Sequence, residues 1–275
     1  MAQKTLPSPL AVELDPVVAE NYARHLQTAD PWYAHDYVPF EQGKNFKFLG
    51  GHDWDPSEVT LPRNVTDALE ILLITKDNLA GYHREFVEHF VLELNWGHWI
   101  GRWTAEENLH AIALREYLVV TRDIDPAANE TVRVEHVMKG YRASHYTQVE
   151  TLVFMALYER AHAVFCRRLA TQIDEPALRG LVEKIAEDED RHEEFFANLV
   201  QAALAYIPGE TVAAIARRAA ELHAVGADID AYHDKVAAVA KAGIFGPAEL
   251  HAVIADRITG WGLADNPELS AFVTP

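Results

Sequence analysis

Glu107 and His110 stand three residues apart in Trp103-Thr104-Ala105-Glu106-Glu107-Asn108-Leu109-His110, and the spacing recurs in Asp188-Glu189-Asp190-Arg191-His192. At about 3.6 residues per turn, such a pair shares one helix face and can grip one metal ion. A third pair, Glu159 and His162, lies in Tyr158-Glu159-Arg160-Ala161-His162. Chance placement of 14 His and 25 Glu over 275 positions gives about 1.3 such pairs, so a count of three is weak by itself. Placement carries more, because each pair falls centrally on a different long helical stretch among apolar residues. Surface ion pairs would share the spacing, yet Glu159 continues the apolar stripe of Leu152 and Met155, where a solvated face is not expected. A helical bundle holding two metals takes one Glu from each of two helices and a Glu-x-x-His pair from each of the others. Carboxylates mixed with imidazole suit iron or manganese.

The elements that must position these residues read as almost entirely α-helical. Residues 1–13, with Pro7 and Pro9, read as a loose arm, followed by a helix from Leu14 to Gln27 with Asp15-Pro16 as cap and first-turn proline. Residues 30–63 are rich in Pro and Gly and read as a non-regular segment laid over a scaffold. Its Trp32, Tyr33, Tyr37, Phe40, Phe46, Phe48 and Trp54 are expected to pack. A helix is predicted from Asn64 to about Glu93, interrupted only at Gly81, with a break at Trp96-Gly97 and a second helix from Ile100 to Thr121. Asp125-Pro126 opens a shorter helix that ends near Gly140. Thr147–Ile173 and the stretch from Pro176 to about Tyr206 complete the four longest, and two or three more helices fill 210–264. The reading is one domain: a covering segment to residue 63, a metal-binding bundle over 64–206, and C-terminal helices over 207–275, expected to cover one end of the bundle.

Composition narrows the function classes. A formal charge of −18 argues against a general nucleic-acid binder. No apolar run approaches the roughly 18 residues of a membrane span, and Met1–Leu10 lacks the layout of a secretory signal. Cys166 is the only cysteine, so a thiolate zinc cage is excluded and a reducing, cytoplasmic setting is expected.

In wording as well as spacing, the chain resembles the soluble acyl-carrier-protein desaturases of the stearoyl type, and more narrowly their mycobacterial-type members. The resemblance rests on Trp103–His110, Glu159-Arg160-Ala161 and Asp188–His192, with Trp32-Tyr33-Ala34-His35-Asp36-Tyr37-Val38-Pro39 similar to the family's segment before the first bundle helix. It spans roughly residues 14–205. It implies a ferritin-like four-helix bundle with flanking helices, in a homodimer, with two irons reduced by a ferredoxin. Those irons would activate dioxygen and remove two hydrogens from an acyl chain tethered to acyl carrier protein. By motif position, Glu107, His110, Glu159, Glu189 and His192 match the metal ligands. Trp32 and Asp188 match a path from the surface to a ligand histidine, and Trp103 would pack beside the site or serve only the core.

Two positions depart from the family. Its first bundle helix carries Thr-Glu-Glu or Thr-Glu-Asp before a Leu, whereas this chain reads Thr75-Lys76-Asp77-Asn78-Leu79. Lys76 therefore stands at a ligand position, and burial is expected to deprotonate its ammonium or turn it aside. Asp77, the nearest replacement, lies about 100° further round the helix. His162 replaces a small hydroxyl residue and is either an extra ligand or a hydrogen-bonded neighbour. His83, two turns along the face of Lys76, reads as core or cavity lining. Losing one carboxylate is expected to lower the occupancy of one metal position, so one metal only, or manganese in place of iron, stands as an alternative to two irons. Docking an acidic carrier protein also wants a basic patch. Lys139 with Arg142, Arg160 with Arg167 and Arg168, and Arg217 with Arg218 are the candidates. Three functions follow: an acyl-carrier-protein desaturase of fatty acid biosynthesis, a weak or inactive paralogue that binds metal or acyl chains, or another metal oxidase of the same architecture.

Overall fold

The computed structural model describes residues 7–90, 92–141, 143 and 145–274. Among them the regular elements are helical: α1 (Pro9–Thr28), α2 (Arg63–Asp77), α3 (Leu79–Phe90), α4 (Leu94–Thr121), α5 (Pro126–Lys139), α6 (Gln148–Ala170), α7 (Pro176–Tyr206), α8 (Pro208–Glu221), α9 (His233–Lys241) and α10 (Pro247–Gly260), with short 3-10 turns between. The fold is all-α and ferritin-like. Helices α2, α4, α6 and α7 form the four-helix bundle, α3 continues the line of α2, and α1 packs on α4 and α7.

The apolar core is in two parts. One cluster holds Leu69, Leu72 and Leu73 of α2, Leu114 and Leu118 of α4, Phe165 and Leu169 of α6, and Val182 and Ile185 of α7. The other holds Phe86 and Phe90 of α3, Trp99 and Trp103 of α4, Leu152 and Met155 of α6, and Phe195 and Phe196 of α7. Between them each bundle helix contributes buried polar side chains: Lys76, Glu107 and His110, Glu159 and His162, and Glu189 and His192. Apolar burial on both sides fixes the register of the four helices, and the register brings these groups to one level.

Several boundaries differ from the sequence reading. Helix α1 begins at Pro9 rather than Leu14: Ser8 Oγ caps it by accepting from Ala11 N at 3.1 Å, and Pro16 lies inside the helix. Asp15 is no cap; its carboxylate accepts from Asn95 N at 2.8 Å and Asn95 Nδ2 at 2.7 Å, tying α1 to the start of α4. Residues 1–6 of the expected arm lie outside the described residues. The first bundle helix breaks at Asn78, where the chain N–H reaches back to Thr75 O and Lys76 O, and not at Gly81. A Cβ on Gly81 would come within 2.8 Å of Tyr141 N, so this glycine admits a neighbouring chain instead of ending a helix. Trp96-Gly97 likewise lies within α4. The Trp96 indole N–H donates to Ala11 O at 2.9 Å, and the bare Gly97 lets the entering chain pass close by, since a Cβ there would lie 2.6 Å from Leu92 O. Helix α6 stops at Ala170, short of Ile173.

Segment 30–63 is non-regular, as expected, and is pinned chiefly by Arg122 and Asp123. The Arg122 guanidinium donates to Glu58 Oε2 at 2.8 Å and to His52 O at 3.0 Å, and lies 4.2 Å from the Phe46 ring centre. Asp123 Oδ1 accepts from Thr60 N at 2.7 Å. Its aromatic residues do not all pack: Trp32 is buried, but Tyr33 and Phe40 are exposed and Phe48 is 98% exposed. The C-terminal helices do not close one end of the bundle. Val239 and Val253 join one core cluster while Ile215 and Ile258 join the other, so these helices run along the bundle's flank.

Candidate metal centre

At the polar level of the bundle, Lys76 of α2 points into the centre. Its Nζ donates to Glu107 Oε2 of α4 at 2.7 Å and to Glu189 Oε1 of α7 at 2.6 Å, with all three side chains buried. Burial pulls the lysine pKa down, but the charges of Glu107, Glu189 and Glu159 outweigh it and hold the pKa above the ordinary lysine value. This corrects one half of the sequence expectation: Lys76 is not turned aside, because two carboxylates within hydrogen-bond reach compensate its lost hydration. Burial alone would raise both carboxyls. Against it, Lys76 and the two imidazoles hold Glu107 well below the usual carboxylate range, and Lys76 and His110 hold Glu189 down to about 2 despite repulsion from Glu107.

The imidazoles complete the level. His192 Nδ1 is 3.1 Å from Glu107 Oε1, and His110 Nδ1 is 3.1 Å from Glu189 Oε1. Each ring donates its outward Nε2–H to a second carboxylate: His110 to Asp188 Oδ2 at 3.0 Å and His192 to Glu106 Oε2 at 2.9 Å. These bonds fix both rings with Nδ1 inward, the arrangement a metal-binding imidazole needs. The outer carboxylates are held in turn. Asp188 Oδ2 accepts from the Trp32 indole N–H at 2.8 Å, and Glu106 lies 3.0 Å from His25 Nε2 and pairs with Arg102. Sequence reasoning found Trp32 and Asp188 but missed Glu106 and His25. The signal for Glu106 was available, since both motifs read acid-Glu-x-x-His and each leading acid crosses to the histidine of the other motif.

Glu159 of α6 faces the cluster from the fourth side, with Oε1 accepting from the Trp103 indole N–H at 2.9 Å. Burial and the charges of Glu107 and Glu189 push its pKa well above the ordinary carboxyl range. Glu107, Glu159, Glu189 and His192 each offer a ligand atom, all within 4.8 Å of one another. Among the described residues Oε2 of Glu159 and Oε2 of Glu189 have no other hydrogen-bond partner, and the two carboxyls face each other across the centre. Three carboxylates and one imidazole fit one hard ion of the iron or manganese type. A second cation beside Glu107, Glu189 and His110 would meet the ammonium of Lys76.

The substitute ligands weighed from sequence lie elsewhere. Asp77 accepts from Arg115 of α4, and burial raises its pKa to about 6. His162 Nδ1 donates to Tyr158 O at 2.8 Å, and among the described residues this histidine is not part of the ligand group. Burial, then Lys76, lower its pKa to about 4. His83 Nδ1 is 2.8 Å from Thr104 Oγ1, in an open groove between α3 and α4 that reaches Lys76. The candidate basic patches are occupied: Lys139 pairs with Asp230, Arg160 with Asp256, Arg167 with Asp190, Arg168 with Glu249, Arg217 with Glu150, and Arg218 with Glu221. Arg142 lies outside the described residues.

Two outcomes follow. Lys76→Met keeps most of the side chain's length but removes the ammonium between Glu107 and Glu189, leaving only the imidazoles of His110 and His192 to offset their charges. Denaturant unfolding of the metal-free variant should show a loss of about 3–5 kcal/mol, and an unchanged stability would contradict the pairing. In the metal-free protein, burial lowers the His192 pKa but Glu106 and Glu107 more than reverse it, to about 10, and burial with the charges of Glu107 and Glu189 raises that of Glu159, so protons compete with a cation at both groups. A bound cation must expel these protons. Metal affinity should therefore rise roughly tenfold per pH unit for each proton displaced, from about pH 6.5 to 9; a metal titration repeated across that range checks it, and a flat profile would contradict it.

Comparison with known proteins gives the site its context. The fatty acid desaturase family model matches residues 9–273. DesA2 of Mycobacterium tuberculosis, named as an acyl-[acyl-carrier-protein] desaturase, is 68% identical over 274 residues, covering 100% of both chains. DesA1 of the same organism, named likewise, is 32% identical over 98% of this chain and 82% of its own length. The X-ray structure of DesA2 superposes with a TM-score of 0.86 at 61% identity, covering 97% of this chain and 100% of that one. With a family match across nearly its whole length and a bundle that superposes on a solved relative, this chain belongs to the fatty acid desaturase family.

Proposed function

We propose that this protein works on acyl chains delivered by an acyl carrier protein, as the names of its relatives say of them. Its centre holds one metal ion beside the ammonium of Lys76, in place of two irons. The observation that carries the reading is the pair of contacts from Lys76 Nζ, 2.7 Å to Glu107 and 2.6 Å to Glu189. A redox-active ion held there, when bound and reduced by a ferredoxin-type donor, would supply the oxygen chemistry for removing two hydrogens from an unactivated chain. Every other contribution comes from the protein. Trp103 orients Glu159, Asp188 and Glu106 orient the two imidazoles, and Lys76 locks Glu107 and Glu189 in a fixed separation. Trp32, Asp188 and His110 form a hydrogen-bonded line from the covering segment to the centre. A cytoplasmic homodimer taking part in fatty acid biosynthesis completes the reading.

The same lysine favours the second reading, a paralogue that binds carrier-bound chains with little or no desaturation. Both readings share acyl-carrier binding and part on turnover. Incubating the protein and its Lys76→Glu variant with acyl-carrier protein, ferredoxin, reductant and oxygen, then weighing the acyl chain by mass spectrometry, separates them. The expected result is a loss of two mass units at least about tenfold slower in the unmodified protein than in the variant. Equal, rapid loss in both would contradict the inhibitory role of Lys76, addition of an oxygen atom would move the protein to the oxidases, and failure to bind any acyl carrier would overturn the acyl reading.

A further inference from the structure

A cavity of about 350 Å³ opens beside the centre, within the size range of small-molecule sites. Its wall includes Thr75, the neighbour of Lys76, and Tyr158 and His162, which bracket Glu159 on α6; Tyr82 and Phe154 add aromatic surface, and His136 and Asp228 lie among the residues contributed by the flank. A ligand there would lie against residues that adjoin the candidate metal ligands.

The wall is not that of a plain alkyl slot. Thr75 Oγ1, His136 Nδ1 and His162 Nε2 are each buried without a hydrogen-bond partner among the described residues, and all three residues line this one cavity. His162 is 1% exposed and Thr75 is 2% exposed, so bulk water does not serve them. For His162 the required chemistry is defined. A carbonyl only accepts, so the bond to Tyr158 O places the ring proton on Nδ1 and leaves a lone pair on Nε2. That lone pair needs a donor. A methylene chain has none and would leave the three buried atoms unpaired.

Resting on the reading of this chain as an acyl-chain protein, we propose that the cavity takes an acyl chain bearing a hydroxyl group, and that His162 Nε2 accepts a hydrogen bond from that hydroxyl. Thr75 Oγ1 lines the same cavity and can pair with a polar chain in either sense, as donor or acceptor. The tyrosine and phenylalanine faces pack the methylene segments. His162 is then a specificity residue that reads the substrate and takes no part in holding metal.

The test uses the full-length protein and acyl carrier protein loaded with stearoyl or with a set of positional isomers of hydroxystearoyl, with affinities measured by calorimetry. At least one isomer should bind about tenfold or more tightly than stearoyl, because a site with a buried acceptor penalises the chain lacking a donor. His162→Phe should erase the preference while stearoyl binding persists, and His162→Gln, which retains an acceptor, should keep part of it. If His162→Phe does not fold, Thr75→Val supplies the second variant and should narrow the preference. Stearoyl binding as tightly as every isomer would overturn the proposal and leave the acyl reading intact. A preference undiminished in these variants would also overturn it, and no binding of any loaded carrier would overturn both.

Discussion

Everything at the centre of this protein depends on one ion pair network, the ammonium of Lys76 held between the carboxylates of Glu107 and Glu189. Three helices contribute one buried charge each, and none of these charges is tolerable alone in the gap between two apolar clusters. The pairing also sets the electrostatics around it. It keeps Glu107 and Glu189 ionised, and those charges, with burial, keep the proton on Glu159. A covalently tethered cation resembles a metal ion in charge and differs from it radically in chemistry, since an ammonium neither exchanges electrons nor binds oxygen.

The remainder of the site is arranged as for a metal. Asp188 and Glu106 hold His110 and His192 with Nδ1 inward, and Trp32 and His25 support those carboxylates from α1 and the covering segment. Retention of this support alongside Lys76 makes one-ion binding the simplest account of the Glu107, Glu159, Glu189 and His192 group.

Much of this was legible in the sequence, and the misses have physical causes. Glu-x-x-His spacing on apolar stripes identified the polar level, because it depends on helical periodicity alone, and Asp125-Pro126 and Pro176 marked helix starts through local backbone chemistry. Pro16 suggested too late a start for α1, since the capping competence of Ser8 is weak evidence until Pro9 is seen to follow it into a helix. The break at Asn78 was not legible, because it depends on chains that approach from elsewhere, near His136 and Tyr141. The fate of Lys76 was not legible for a deeper reason. Residue type says that burial disfavours an ammonium, but only distances near 2.6 Å decide that neighbouring carboxylates win.

The most direct measurement is the metal content of the chain. After anaerobic reconstitution with excess ferrous iron and removal of loose metal, the ion count per chain is read by elemental mass spectrometry for the unmodified protein and for Lys76→Glu. The account predicts no more than one ion in the unmodified chain and a rise toward two in the variant. Two tightly held ions in the unmodified chain would contradict it.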